Sequence, residues 1–337
     1  GLPDFKTENE AVRNQIVNWQ TAWLDKSTTA NGNSISYFRV DTVKHVDRTT
    51  WQHFRNELTK KDPEFQLIGE AWGAGATNNQ GYLETGTMDS LLDFEFKSIA
   101  RNFVNGQLEQ ANESLIARNG KISNQALLGQ FLGSHDEDGF LYSLNGDEGK
   151  LKLAASLQIT AKGQPVIYYG EELGQTGKNN WPEYDNRYDL AWDNVENNDI
   201  LEHYQKLLQF RNNHSDILAK GNRAKLAGSD EDEYLLFERS FDNEKVYVGL
   251  NTSNKGKIVT LTVSDEETIV TDEYANRQFD ATKQEDGSVT ITVEIPSKDN
   301  GGTVLLSAVN GSILGESSNE SGVEEEETAT IQDGYLR

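Results

Sequence analysis

The sequence predicts an α/β domain of parallel βα units, followed by a smaller all-β antiparallel sandwich. Up to about residue 215, short apolar runs alternate with stretches of helical periodicity, which is the pattern of repeated βα units. Each apolar run in that part with a legible polar end finishes in charged or polar side chains: Asp41, Glu70, His135 with Asp136, and Glu171 with Glu172. After about residue 228 the texture changes to β-rich segments separated by Asp, Asn and Gly turns. The expected division is 1–222 for the α/β part, 223–310 for the sandwich and 311–337 for an acidic linker or tail.

The elements follow in order. "TENEAVRNQIVNWQTAWLDKS" sets Val12, Ile16, Trp19 and Trp23 on one helical face, with Thr7 as the cap. "SYFRV" reads as a short strand. "DRTTWQHFRNELTKKDP" gives a helix carrying Trp51, Phe54 and Leu58, closed by Pro63. "FQLIGEAW" and "MDSLLDFEF" are the next strands, the second followed by the helical "KSIARNFVNG". "QALLGQFLGSHD" is another apolar run with a polar end, and "DEGKLKLAASLQITAKG" is a helix stopped by Gly163. "QPVIYYGEELG" is one more run of this kind, and "ILEHYQKLLQFRNNH", residues 200–214, is the last helix before the sandwich. The sandwich strands are "EYLLFERSF", "KVYVGLNTS", "KIVTLTV", "SVTITVEIP" and "GGTVLLSAV". From residue 311 the chain is rich in Gly, Ser and Glu, and the run Glu324–Glu327 reads as solvated.

Composition narrows the partners. With 55 acidic against 31 basic residues the net charge is −24, which repels phosphate backbones, so no nucleic acid is expected to bind. No apolar run is long enough to span a bilayer, and no membrane insertion is expected. The chain has no cysteine, which removes disulfides, thiolate metal ligands and a cysteine nucleophile.

The polar strand ends carry the chemistry. In a parallel β/α barrel the active site lies at the C-terminal ends of the strands. Neighbouring strands are about 4.8 Å apart, close to the roughly 5–5.5 Å that separates the two carboxyl groups of a retaining glycosidase. Asp41 and Glu70 are candidates for such a pair. Arg39, two residues before Asp41, shares its strand face, and a cation there favours an ionised neighbour. Trp72 supplies apolar surroundings for Glu70. In "WPEYDNRYDLAWD", residues 181–193, Trp181 and Tyr184 are candidates to stack on sugar rings; packing on the barrel is the other reading of these aromatics.

On these residues the sequence resembles the α-amylase family of glycoside hydrolases. "FRVDTVKHV" at 38–46, "LIGEAWG" at 67–73 and "FLGSHD" at 131–136 resemble that family's nucleophile, acid/base and third-carboxylate segments. "LPDFKTEN" at 2–9 resembles the end of its inserted domain, and "GQPVIYYGEELG" at 163–174 its final barrel strand. The resemblance implies a (β/α)8 TIM barrel, with this chain supplying about strands 4–8, followed by domain C. It implies Asp41 as nucleophile, Glu70 as acid/base and Asp136 as the third carboxylate, with Arg39, Lys44, His45 and His135 binding substrate. It also implies a structural calcium ion that takes the backbone carbonyl of His45, its other ligands lying outside this chain.

The implied activity is retaining hydrolysis of internal α-1,4 bonds in a starch-like α-glucan polysaccharide or oligosaccharide, by a secreted or extracellular enzyme. Pullulanase, amylopullulanase or transglycosylase action is the alternative, and a non-catalytic glucan-binding relative a further one. Two departures stand out. Ser134 replaces the Asn that many members carry before His135 and Asp136. The family's first barrel strands have no counterpart, so the expected partner is an N-terminal fragment of the same enzyme.

Overall fold

The computed structural model describes residues 3–122 and 128–317. The α/β part begins with α1 (Glu10–Lys26), β1 (Tyr37–Val40), α2 (Arg48–Lys61), β2 (Gln66–Gly69), β3 (Ser90–Asp93), α3 (Phe96–Val104) and α4 (Leu108–Lys121). It continues with β4 (Leu128–Phe131), the short α5 (Phe140–Ser143), α6 (Glu148–Thr160), β5 (Gln164–Val166), α7 (Asp199–Asn213) and α8 (Ser215–Lys220). The five strands form one sheet in the order β1-β2-β3-β4-β5. Every neighbouring pair is parallel, as in an arc of a (β/α) barrel.

Local chemistry explains most element ends. Asn9, not Thr7, caps α1: its side-chain oxygen accepts from the backbone N–H of Ala11 at 3.0 Å and of Val12 at 3.3 Å. The buried face of α1 is Val17, Thr21 and Leu24, which pack towards Trp51, Phe54 and Leu58 of α2. The expected face is therefore displaced, and Trp19 and Trp23 are each 54% exposed. Both sets keep helical spacing, and the docking of α1 on α2 selects between them. Asp47 caps α2 by accepting from the backbone N–H of Thr50 at 2.9 Å and its hydroxyl at 2.6 Å.

Helix α4 has no counterpart in the sequence reading. It packs on α3 and delivers Arg118, 1% exposed, to Asp93 at the end of β3, whose carboxylate it reaches at 2.7 Å. Helix α6 is buried all round, which is why its sequence has almost no amphipathic stripe. Gln158 on α6 ties β4 to β5 by donating to the carbonyls of Gln130 (3.0 Å) and Val166 (2.9 Å).

The second part holds β6 (Asn222–Ala227), β7 (Tyr234–Phe241), β8 (Glu244–Asn251), β9 (Lys257–Val263) and β10 (Ile269–Asp272). After these come β11 (Arg277–Asp280), β12 (Thr282–Lys283), β13 (Val289–Ile295), β14 (Thr303–Val309) and β15 (Ile313–Glu316). They make two antiparallel sheets, β11-β10-β14-β8-β7-β6 and β12-β13-β9-β15, with a shared core that includes Leu236, Val259, Ile291 and Val304. The stretch expected as tail thus opens with a strand: Ile313 is 1% exposed and β15 pairs with β9. The acidic run Glu324–Glu327 lies outside the described residues. At the seam between the parts, Arg239 on β7 is fully buried and donates to the carbonyls of Thr160, Leu218, Gly221 and Asn222, capping the ends of α6 and α8.

Candidate active site

Strands β1 and β2 pair in register, with Val40 opposite Gly69, so Asp41 and Glu70 are the next residues in step on neighbouring strands. Three contacts lock this corner. The backbone N–H of Glu70 donates to Val40 at 2.7 Å, and that of Val43 to Glu70 at 3.0 Å. Glu70 Oε2 accepts from the backbone N–H of Thr42 at 2.8 Å. Thr42 takes a left-handed conformation (φ 52°), which turns the chain back over the end of β2. Glu70 is 7% exposed, whereas the Asp41 side chain is 66% exposed and bonded to Arg39 Nη1 at 2.5 Å.

A cavity of about 180 Å³ sits over these strand ends, and Arg39, Glu70, Trp72, His135, Asp136 and Tyr168 are among its lining residues. Its apolar wall is a row of rings: Trp72 and Phe94 are tilted with centroids 5.0 Å apart, and Phe94 meets Phe131 edge-to-face, also at 5.0 Å. A second cavity of about 140 Å³ is lined by Thr42, Lys44, His45, Glu70 and Trp72, and Lys44 Nζ donates to the Trp72 carbonyl at 3.1 Å. Of the expected site residues, Arg39, Glu70, Trp72, His135 and Asp136 share the first cavity, and Lys44 and His45 meet Glu70 in the second. Asp41 lines the neighbouring groove along α1 and connects to the first cavity through Arg39.

Trp181 and Tyr184 stand apart from both cavities. Trp181 is 76% exposed and packs edge-on against Tyr184, with centroids 5.5 Å apart. Their loop is nevertheless clamped to the Asp136 segment. Arg187 lies 4.2 Å above the Tyr184 ring, donates from Nη2 to Asp136 Oδ1 at 3.0 Å and from Nε to the His135 carbonyl at 3.0 Å. Fully buried Asn186 donates to the carbonyls of His135 (3.0 Å) and Glu137 (2.9 Å), and Tyr168 donates to the Asn186 carbonyl at 2.8 Å. His135 Nε2 lies 3.0 Å from Asp136 Oδ2. Asn186 and Arg187 carry no role in the sequence analysis; a cation between aromatic residues in so acidic a chain is the signal that points to Arg187.

Among the described residues no group of three or more His, Cys, Asp or Glu side chains is arranged to hold a metal ion. His45 can offer calcium one carbonyl oxygen, against the 6–8 oxygens such an ion takes. Among the described residues no side-chain cluster stands beside that carbonyl to complete such a site.

The chain is 28% identical over 270 residues to neopullulanase 2 of Thermoactinomyces vulgaris, covering 78% of this chain and 44% of that protein. It is 27% identical over 269 residues to a cyclomaltodextrinase of Geobacillus thermopakistaniensis, covering 78% of this chain and 43% of that one. It thus spans less than half the length of these two relatives. Among solved structures, an Anoxybacillus α-amylase superposes with a TM-score of 0.74 at 24% identity, covering 94% of this chain and 66% of that one, a likeness of fold. Residues 1–199 match the family described as "Alpha amylase, catalytic domain", and the chain belongs to that family.

Proposed function

We propose that this chain is the acid-bearing part of a retaining α-glucan hydrolase. The observation that supports it is the cavity shared by Glu70, Arg39, His135 and Asp136, with Asp41 in step beside Glu70 on the next strand. In this reading the Asp41 carboxylate attacks the anomeric carbon while the glycosidic bond breaks and Glu70 gives its proton to the leaving oxygen. Water then attacks the glycosyl-enzyme ester; Glu70 takes the water's proton, and Asp41 leaves as carboxylate. Asp136, Arg39 and His135 hold sugar hydroxyls, Lys44 and His45 grip the sugar beyond the cut, and Trp72, Trp181 and Tyr184 offer ring faces.

Cleavage of internal α-1,4 bonds in starch-like glucans is one form of this activity. A second form, mixed action on pullulan or cyclic maltodextrins, is favoured by the names of the two relatives above. Both need a closed barrel, and we propose that an N-terminal polypeptide of the same enzyme supplies the remaining strands and any calcium ligands beyond the His45 carbonyl. A secreted or extracellular setting, the bacterial cell surface included, is part of this proposal, and cell fractionation with an antibody to the β domain checks it.

The decisive experiment is Glu70→Gln in the completed enzyme. Hydrolysis is expected to fall at least about a hundredfold, the scale of a lost general acid, with glucan binding retained. An E70Q enzyme of near wild-type rate sinks the assignment. Products from amylose, pullulan and cyclodextrin then separate the two forms.

A further inference from the structure

Glu171 follows β5 in a single 3₁₀ turn, Glu171–Leu173, and is 3% exposed. Among the described residues neither of its carboxyl oxygens is in full hydrogen-bond geometry with a partner, although the backbone N–H groups of Tyr168 and Gly133 lie close enough to favour its charged form. Its Oε1 points at Gly133, three residues before Asp136: a Cβ added at Gly133 would lie 2.5 Å from that oxygen. Gly133 is not among the glycines with positive φ, so what a larger residue there would meet first is the Glu171 carboxyl, which would have to move.

We propose that Glu171 is a positioning residue for Asp136: packed as a neutral carboxylic acid against Gly133, it sets where the Ser134–His135–Asp136 segment lies, and its ionisation displaces that segment. The inference rests on the reading of Asp136 as the third acid. The groups facing Glu171 are adjacent Glu172 on its own turn, Tyr188 on the following loop and Tyr204 on α7, with the backbone N–H groups of Tyr168 and Gly133. No cation is among them. Burial, reinforced by Glu172, pushes the Glu171 carboxyl up to about 8 against the pull of those two N–H groups. Below that pH the acid is neutral and fits its buried slot. Above it, an unpaired anion must gain water, and the path opens against Gly133, whose chain leads directly to Asp136.

The test follows the His135 ring carbon–proton resonance by NMR from pH 5 to 10; the chain has only five histidines, and His135→Gln assigns the signal. Beyond the ring's own titration, a further inflection is expected near the Glu171 value of about 8, and Glu171→Gln should remove it. In the completed enzyme the same variant should extend the alkaline limb of kcat/KM to higher pH. No such inflection in the wild type, or the same inflection in E171Q, overturns the proposal. Should E171Q fail to fold, [13C]glutamate-labelled wild type decides: one carboxyl carbon titrating with the His135 signal supports it, and all carboxyls titrating below about pH 6, near ordinary glutamates, refutes it. The NMR readout needs no turnover, so its failure leaves the proposed hydrolase reading standing.

Discussion

Arg118 and Asp93 show how much a single buried pair can carry. Asp93 ends β3, as Asp41 and Glu70 follow β1 and β2, yet it is fully buried and faces a guanidinium at 2.7 Å. Burial raises its carboxyl pKa although Arg118 opposes the shift. Arg118 also donates to the Lys162 carbonyl at 2.6 Å, so one side chain binds α4, β3 and the end of α6. Replacing Arg118 by Leu strands that carboxyl, and the expected cost is about 3–5 kcal/mol, as for a broken buried ion pair. The partner change Asp93→Leu made together with it should recover part of the loss. Denaturant melts of the two variants check this; equal stability of R118L and wild type would remove the pair from the account. At this scale the sequence exposed the acids in "FRVD", "LIGE" and "GSHD" because each follows an apolar run. It hid Arg118 and Arg187, whose partners are 25 and 51 residues away, because nothing local marks a long-range ion pair.

The helices and strands tell a similar story about range. The reading found the elements whose apolar periodicity is strong, including α2 and the strands before Asp41 and Glu70. It missed α4, and it placed the buried stripe of α1 on the wrong residues because docking decides the face. It took Ile313–Glu316 for tail because a four-residue strand with one core side chain leaves little pattern. The joint between α6, α7 and the sandwich was equally invisible. There, His203 on α7 is 1% exposed, its Nε2 is 2.8 Å from the Lys152 carbonyl, and its Nδ1 is 2.7 Å from the Tyr274 hydroxyl of the β domain. Burial lowers the imidazole pKa to about 4. The folded state thus binds fewer protons than the unfolded chain between that value and an ordinary histidine's roughly 6.5. The stability from neutral His203 is present above about pH 6.5 and is lost as pH falls towards about 4. A loss of about 3 kcal/mol is expected across that window, and His203→Gln should flatten it. Melting curves at pH 7 and 4.5 measure the difference; an unchanged pH slope in H203Q would remove His203 from the seam's pH response.

The molecule as a whole presents one face that its own described residues leave open. Within the parallel sheet β1 pairs only with β2, so the other edge of β1 is unpaired among the described residues. Beside that edge lies a groove of about 360 Å³ whose lining includes Phe5, Ile16, Phe38, Val40, Asp41 and Trp51. Phe5 is 65% exposed, Tyr37 58%, and Trp19 and Trp23 54% each. An unpaired parallel strand flanked by large apolar side chains is a template for further strands. Parallel sheets are ordinarily covered on both faces. The same groove contains Asp41, so the proposed barrel completion would enclose that proposed nucleophile and cover the aromatic face in one step. Adding a polypeptide that carries the remaining barrel strands should therefore have linked effects. Trp19 and Trp23 fluorescence should shift to the blue, amide exchange at Tyr37–Val40 should slow, self-association of the chain alone should fall, and glucan hydrolysis should appear. Equilibrium dialysis on the same samples should detect calcium only in the completed assembly, because the proposed site takes only the His45 carbonyl from this chain. Hydrolysis at full rate by the isolated chain as a monomer, with Trp19 and Trp23 still exposed, would overturn the completion proposal.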